Sequence, residues 1–322
     1  MMGTGTFAQP TFESLLARPG LVAALITQPD RATGAQRSST RMAGPGMKEL
    51  AIAAGIPVHQ PESINHADGV ALLRALSPDL LVVAAYGQIL SREVLAVPRL
   101  GGINVHASLL PKYRGAAPVA WAIYHGETRT GVTIIRMSVG LDAGDILAQE
   151  CLDILPDETA GELETRLAPL GARLAMDVAD RLQLGPVIGS PQDKSLVTKA
   201  PKLKKEDGLL NWSNSAEQVC RQIRAMQPWP TAYSYLHHVG KPPIRIMVSR
   251  AAVVSDEHAG ADHPLHGTVV VQSPSRLIVA APRCEYVQIV ELQPAGKRRM
   301  SAEEFIRGRG VVTGDRFGDE AV

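Results

Sequence analysis

Between Gly101 and Gln149 the chain carries an amide, an imidazole and a carboxylate close to segments that read as strand ends. Asn104 and His106 flank Val105, Ser108-Leu109-Leu110-Pro111 forms a turn beyond them, and Asp142 sits in the loop Gly140-Leu141-Asp142-Ala143-Gly144-Asp145. Taken singly, each has a structural reading: an Asn before a turn caps backbone groups, and a lone His or Asp usually does structural work. Together at strand ends, an amide donor, a titrating ring and a carboxylate are the set by which an active site is recognised. Asp142 and Asp145 also raise the question of Mg²⁺ or Ca²⁺, but no further carboxylates stand at ligand spacing, so no metal is expected.

The elements that must position these groups are legible around them. Asp79 to Tyr86 is a continuous apolar run, the pattern of a strand buried on both faces. Ile103 to Val105 is short enough to be the next strand, which puts Asn104 and His106 at its carboxyl end. Alternation over Val132 to Met137 predicts another strand, leading into the Asp142 loop. In open α/β sheets the ligand crevice lies beyond the carboxyl ends of strands. Upstream, Gly3-Thr4-Gly5 reads as a tight turn into a helix, Leu21 to Thr27 as a strand, Ile56 to His59 as a short strand and Ala67 to Ala75 as a helix. Between them a polar loop of nineteen residues, Gln28 to Gly46, carries Arg31, Arg37 and Arg41, with Lys48 just beyond. A loop of that length in a compact domain is functional or disordered. Downstream, Ile146 to Ile154 is a strand and Thr159 to Leu184 a long amphipathic helix. The alternation predicts a doubly wound, Rossmann-like α/β domain over 1–189.

From 190 to 206 the chain is polar, with two prolines and a lysine cluster at Lys202, Lys204 and Lys205, and reads as an interdomain linker. Beyond it, over 207–322, a helix at Ser215 to Ala225 is followed by short β segments near 232–236, 244–253, 267–271, 277–281 and 286–292. Spaced short strands with turn signals predict a small OB-like β-barrel. A second basic cluster, Lys297, Arg298 and Arg299, falls on this domain, which holds 16 basic against 13 acidic residues from Lys202 onward.

Composition removes several classes. A net charge of +1 excludes binding to polyanions by bulk charge alone, so any nucleic-acid contact must come from clustering. Three scattered cysteines, Cys151, Cys220 and Cys284, make neither a disulfide framework nor a zinc motif. No stretch is apolar enough to span a membrane, and no signal peptide is visible, so a soluble cytoplasmic monomer is expected.

Asn104-x-His106, Ser108-Leu-Leu-Pro111-x-Tyr113-Arg114-Gly115 and Leu141-Asp142-x-Gly144 resemble the formyltransferases that use 10-formyltetrahydrofolate. Asn211-Trp212-Ser213, Pro228-Trp229-Pro230 and Gln293-Pro294-Ala295-Gly296 extend the resemblance to the branch of that family acting on methionyl-initiator tRNA. The resemblance implies Asn104, His106 and Asp142 as catalytic residues. It places the folate co-substrate along Tyr86, Gly87, Gln88 and Ile89, the loop Val139, Gly140 and Leu141, and the turn Ser108, Leu109, Leu110 and Pro111. It implies tRNA contacts at Arg37, Arg41 and Lys48, at Lys202, Lys204 and Lys205, and at Lys297, Arg298 and Arg299. Family members carry an apolar strand ahead of the Gly3 turn; here only Met1 and Met2 precede it, so most of that strand is expected to be missing, at a cost in stability. A small-amine formyltransferase, an RNA-binding protein without activity and a formate-releasing hydrolase are the other readings; the C-terminal motifs and the intact Asn104, His106 and Asp142 argue against them.

Overall fold

The computed structural model describes residues 1–30, 46–254, 264–273, 276–309 and 311–320; Arg37 and Arg41 lie outside the described residues. The chain forms two compact units, one of residues 1–122, 128–156 and 161–202, the other of 123–127, 157–160 and 203–322.

In the first unit the strands and helices alternate as β1 Met2–Gly3, α1 Gln9–Leu16, β2 Leu25–Ile26, α2 Met47–Ala53, β3 Val58–His59, α3 Ala67–Leu76, β4 Leu81–Ala84, α4 Arg92–Leu95 and β5 Gly102–His106. After β5 come β6 Arg114–Gly115, α5 Pro118–Tyr124, β7 Arg129–Arg136, β8 Ile146–Asp153, α6 Ala160–Leu184 and β9 Lys199–Ala200. The main sheet runs β3-β2-β1-β4-β5-β7-β8, and its first five strands are parallel. The order reverses between β1 and β4, so the loops after these two strands diverge and open a crevice at their carboxyl ends. Every residue of β4 is buried, as the continuous apolar run requires. Met2, Ile26, Leu81 and Val83 pack with Ile64, Val70, Leu73 and Tyr86 into one core. The strand expected over 21–27 pairs only at Leu25–Ile26.

The structure adds two features that the sequence pattern did not carry. β7 is antiparallel to β5, with Ile103 opposite Arg136 and His106 opposite Thr133. The loop after β7 therefore sets out from the starting end of β5, not from the end that carries His106. And residues 190–200, part of the segment read as an interdomain linker, are tied to the first unit. Ser190 exchanges two backbone bonds with Ile146, both 2.9 Å, and β9 pairs in parallel with β6. Polar composition concealed this, because the segment is held by backbone bonds, which any sequence can make, and by polar side chains that leave no periodic pattern.

The second unit contains α7 Ala216–Ala225, β10 Tyr233–His237, β11 Ile244–Val254, β12 Val269–Ser273, β13 Arg276–Ala281, β14 Glu285–Pro294, β15 Met300–Ser301, α8 Ala302–Arg309 and β16 Arg316–Gly318. Ser215 caps α7 by accepting the Gln218 N–H. The strands form an antiparallel sheet in the order β12-β13-β14-β11-β10-β16, with β15 on β14. Thr268 bridges Arg316, Val269 N–H donates to the Asp315 carbonyl at 2.7 Å, and Phe317 N–H donates to the Gly267 carbonyl at 2.8 Å. These contacts bring the two edges together into a nearly closed barrel, which leaves little strand edge unpaired. Phe317 and Trp212 meet inside with ring centroids 5.6 Å apart, and the Trp212 indole N–H donates to Ser234 Oγ.

β1 is two residues long yet holds a central place in its sheet. The Met1 ammonium donates to the Ala24 carbonyl at 3.0 Å, and burial lowers its pKa from 8.0 to about 6. Beside it lies a cavity of about 440 Å³ lined mainly by apolar side chains, among them Leu15, Leu21, Leu73, Leu76, Leu81 and Leu100. A short apolar extension ahead of Met1 is expected to raise the thermal midpoint, by filling that space and removing the buried charge. The amine titrates near 8.0 when unfolded and near 6 when folded, so between those values the unfolded chain holds more protons. Stability of the unextended chain must then fall as pH drops through that window, widening the gap. Equal midpoints for the two chains at both ends of the window would refute this.

Candidate active site

Asn104 and His106 are alternate residues of β5, so their side chains share one face while Ile103 and Val105 go into the core on the other. Asp142 comes to that same face. Its Oδ1 accepts Asn104 Nδ2 at 3.3 Å, its Oδ2 accepts the Gly115 N–H at 2.9 Å, and Oδ2 stands 3.6 Å from His106 Nδ1. Since Asn104 lies opposite Ile135 in the ladder, the loop leaving β7 folds back over the sheet to make these contacts. The carboxylate is 11% exposed and the imidazole 5%, which strengthens their mutual attraction over that of a surface pair. His106 Nε2 lies 3.0 Å from the Tyr113 carbonyl oxygen. A carbonyl can only accept, so this nitrogen carries a proton, and the other edge of the ring is left facing carboxylate.

Backbone conformation enforces the arrangement. Asp142 and Tyr113 both adopt left-handed conformations, with φ of +47° and +62°. Such residues persist only where the surroundings over-determine them, and they gather at functional sites. Gly144 permits the turn behind Asp142, since a Cβ there would lie 1.7 Å from the Arg136 carbonyl oxygen. Gly115 has φ of +130°, and a Cβ would lie 2.3 Å from the Ala200 carbonyl oxygen.

The turn 108–111 is anchored from the neighbouring hairpin. Ser108 is fully buried and donates Oγ–H to the Lys112 carbonyl at 2.7 Å, a turn clamp and not a nucleophile. Thr133 Oγ donates to the Ser108 carbonyl at 2.6 Å and accepts from Leu110 N–H and from Gln149 Nε2, which also donates to the Leu110 carbonyl. Leu110 is buried and Leu109 and Pro111 half-buried. Thr133 and Gln149 carried no sequence signal beyond their place in strands.

The segment after β4 divides by role. The Tyr86 ring lies in the core, its hydroxyl has no hydrogen-bond partner, and burial pushes the phenol pKa up to about 12. Its carbonyl accepts from Gln28. The Gln88 side chain is spent on the backbone of Ile64 and Glu62. Gly87 has φ of +82°, and Ile89 projects with 63% of its surface exposed. Val139 and Leu141, on either side of Gly140, are likewise more than half exposed. These exposed large aliphatic side chains are apolar surface of the kind a flat ring system could cover.

Of the basic residues, Lys202, Lys204, Lys205 and Lys297 are exposed. Lys48 pairs with Asp30, to which Gln60 also donates. Arg298 pairs with Glu304 at 2.7 Å and Arg299 with Glu291 at 3.4 Å. These exposed pairs are weak enough for a phosphate to replace the carboxylate. Among the described residues no group of three or more His, Cys, Asp or Glu could hold a metal ion, and no helix is long and apolar enough to cross a membrane.

Comparison with known proteins supplies the context. Residues 1–179 match the formyl transferase family and residues 202–310 the formyl transferase C-terminal domain. The methionyl-tRNA formyltransferase of Geobacter metallireducens is 41% identical over 317 residues, covering 98% of this chain and 97% of its own. That of Pelotomaculum thermopropionicum is 42% identical over 318 residues, with 98% and 97% covered. The fold resembles that of WlaRD, a sugar 3N-formyl transferase solved in the presence of dTDP and 5-N-formyl-THF: TM-score 0.65, 15% identity, 92% of this chain and 97% of that one. With both units matched and more than 40% of residues shared along almost the whole length, the chain belongs to the methionyl-tRNA formyltransferase family.

Proposed function

We propose that the chain transfers the formyl group of 10-formyltetrahydrofolate to the α-amine of methionine esterified to initiator tRNA. The observation that carries this reading is the buried Asp142 carboxylate, reached at once by the Asn104 amide, the Gly115 N–H and the His106 ring. Attack of the neutral amine on the formyl carbon forms the new C–N bond and a tetrahedral oxyanion. Asn104 gives one amide proton to Asp142 and has a second for that oxygen. His106 would turn its Nε2–H from the Tyr113 carbonyl to the same oxygen as charge develops there. Asp142, directly or through a water, carries the proton from the incoming amine to the departing N10. The bond to N10 then breaks, with no covalent enzyme intermediate.

The pterin would lie against the backbone of 86–89 and the apolar side chains of Ile89, Val139 and Leu141, beside the turn Ser108 to Pro111. Tyr86 contributes backbone only, its ring being committed to the core. Arg37, Arg41 and Lys48 would guide the aminoacyl end of the tRNA. Lys202, Lys204 and Lys205 with Lys297, Arg298 and Arg299 would hold its phosphates. Domain roles follow: catalysis over 1–189, tRNA binding over 207–322. One cytoplasmic chain carries both, so a monomer suffices.

Transfer of labelled formyl from the folate donor to methionyl-initiator tRNA, compared with small amines, tests the reading; equal or better transfer to small amines defeats it. His106→Ala and Asn104→Ala are each expected to lower kcat by about a hundredfold or more, the usual loss for an oxyanion donor. Asp142→Asn should cost at least as much, with binding of the folate donor largely kept. Near-normal turnover in a folded variant removes that residue from the mechanism.

The basic clusters separate by kinetics. Arg37→Ala with Arg41→Ala should lower turnover on tRNA more than binding, because placing the reacting end acts on the barrier. Replacing Lys297, Arg298 and Arg299 by Ala should chiefly raise the KM for tRNA. Each lost phosphate contact should flatten the slope of log K against log salt by about 0.7 to 0.9. Unchanged kcat, KM and salt slope in both variants would leave the clusters as solvated faces.

A further inference from the structure

Residues 190–200 are bound along their length to the two loops that carry or support the candidate catalytic groups. Ser190 is fastened to Ile146, at the far end of the Asp142 loop. Thr198 accepts the Tyr113 N–H on its hydroxyl at 2.8 Å and the Arg114 N–H on its carbonyl at 2.9 Å. Between these anchors stands Gln192. Its Nε2 donates to the Asp142 carbonyl at 2.8 Å and to the Gly144 carbonyl at 2.7 Å. Its Oε1 accepts Arg114 Nε at 3.1 Å and Nη2 at 2.6 Å. One primary amide thus uses both protons and its oxygen, and the oxygen receives a guanidinium fork.

What Gln192 holds is the backbone on which the site depends. Its amide protons grip the carbonyls of the two residues that flank Ala143, one of them the left-handed Asp142. Its oxygen fixes Arg114, whose neighbours supply the Tyr113 carbonyl to His106 and the Gly115 N–H to Asp142. We infer that Gln192 is a positioning residue, which keeps the Asp142 carboxylate against Asn104 and His106 by tying the 140–145 loop to the 113–115 loop. The inference rests on the reading of Asp142 as catalytic. A left-handed carboxylate-bearing residue relaxes toward ordinary conformations unless its flanking carbonyls are held. A displacement of about 1 Å in a reacting group costs on the order of a hundredfold in rate while leaving distant substrate contacts in place.

The test measures kcat and KM for the folate donor and for methionyl-tRNA in the full chain, per folded molecule, for Gln192→Ala, Gln192→Glu, Asp142→Asn and the double variant Asp142→Asn with Gln192→Ala. Gln192→Ala is expected to lower kcat about 10- to 100-fold with both KM values within about twofold. Gln192→Glu keeps an acceptor for Arg114 but loses the two donated protons and sets a carboxylate against two carbonyl oxygens, so it should be impaired at least as much. In the Asp142→Asn background, removal of Gln192 should add no more than about a twofold loss, since a residue acting through Asp142 has nothing left to position. Losses that multiply in the double variant, or Gln192→Glu at wild-type kcat, overturn the inference while Asp142→Asn remains crippled. If Asp142→Asn itself turns over normally, the underlying reading of Asp142 fails, and the inference with it.

Discussion

The Asp142 carboxylate is the contact on which the candidate site depends. Three groups from two other segments reach it: the amide of Asn104, the ring of His106 and the backbone N–H of Gly115. A carboxylate with so little exposure is tolerated only when its lone pairs are taken up by donors, so the same bonds that satisfy it also fix the geometry of the donors. This explains why the surrounding chain is so constrained. The left-handed Asp142 and Tyr113, and the close approaches at Gly115 and Gly144, all serve to bring one carboxylate to one face of β5.

The parallel part of the sheet and its antiparallel hairpin divide the labour. Strands β1 to β5 supply a rigid platform with a crevice at the β1/β4 reversal. The hairpin β7–β8 supplies what the platform lacks. Thr133 and Gln149 hold the turn 108–111 from below, and the hairpin's loop returns over β5 with Asp142. Because both ends of that loop are tied to regular strands, Asp142 sits on a short bridge instead of a long excursion, and little entropy is left to lose when substrate binds.

The second unit solves a different problem. Closing the sheet removes the exposed edges that would otherwise pair with other chains. Closure depends on β16, where Phe317 packs against Trp212 and the backbone of 315–317 bonds to Gly267 and Val269. Asp315 reinforces the seam: its buried carboxylate lies 2.8 Å from His238 Nδ1 and accepts the Val312 N–H.

By itself the sequence determined most of the local elements and named the candidate reacting groups. The apolar run 79–86 could only be a strand buried on both faces, so β4 and the neighbouring short strand that carries Asn104 and His106 were legible, as were the long helix and the change of pattern near 207. Four things depended on tertiary structure. The direction of β7 cannot be read from alternation, which is the same for parallel and antiparallel strands, so how Asp142 arrives was hidden. Tyr86, placed by family likeness beside a ligand, proves to have its ring in the core, because which way a residue at a strand end points depends on what packs there. β16 escaped notice because three residues with one apolar side chain make no pattern, and Gln192 because a polar segment bound through backbone and amide contacts looks in sequence like a linker. Hydrophobic periodicity records which face is buried. It does not record which distant backbone a polar side chain will find, and the candidate site is built mostly from such contacts.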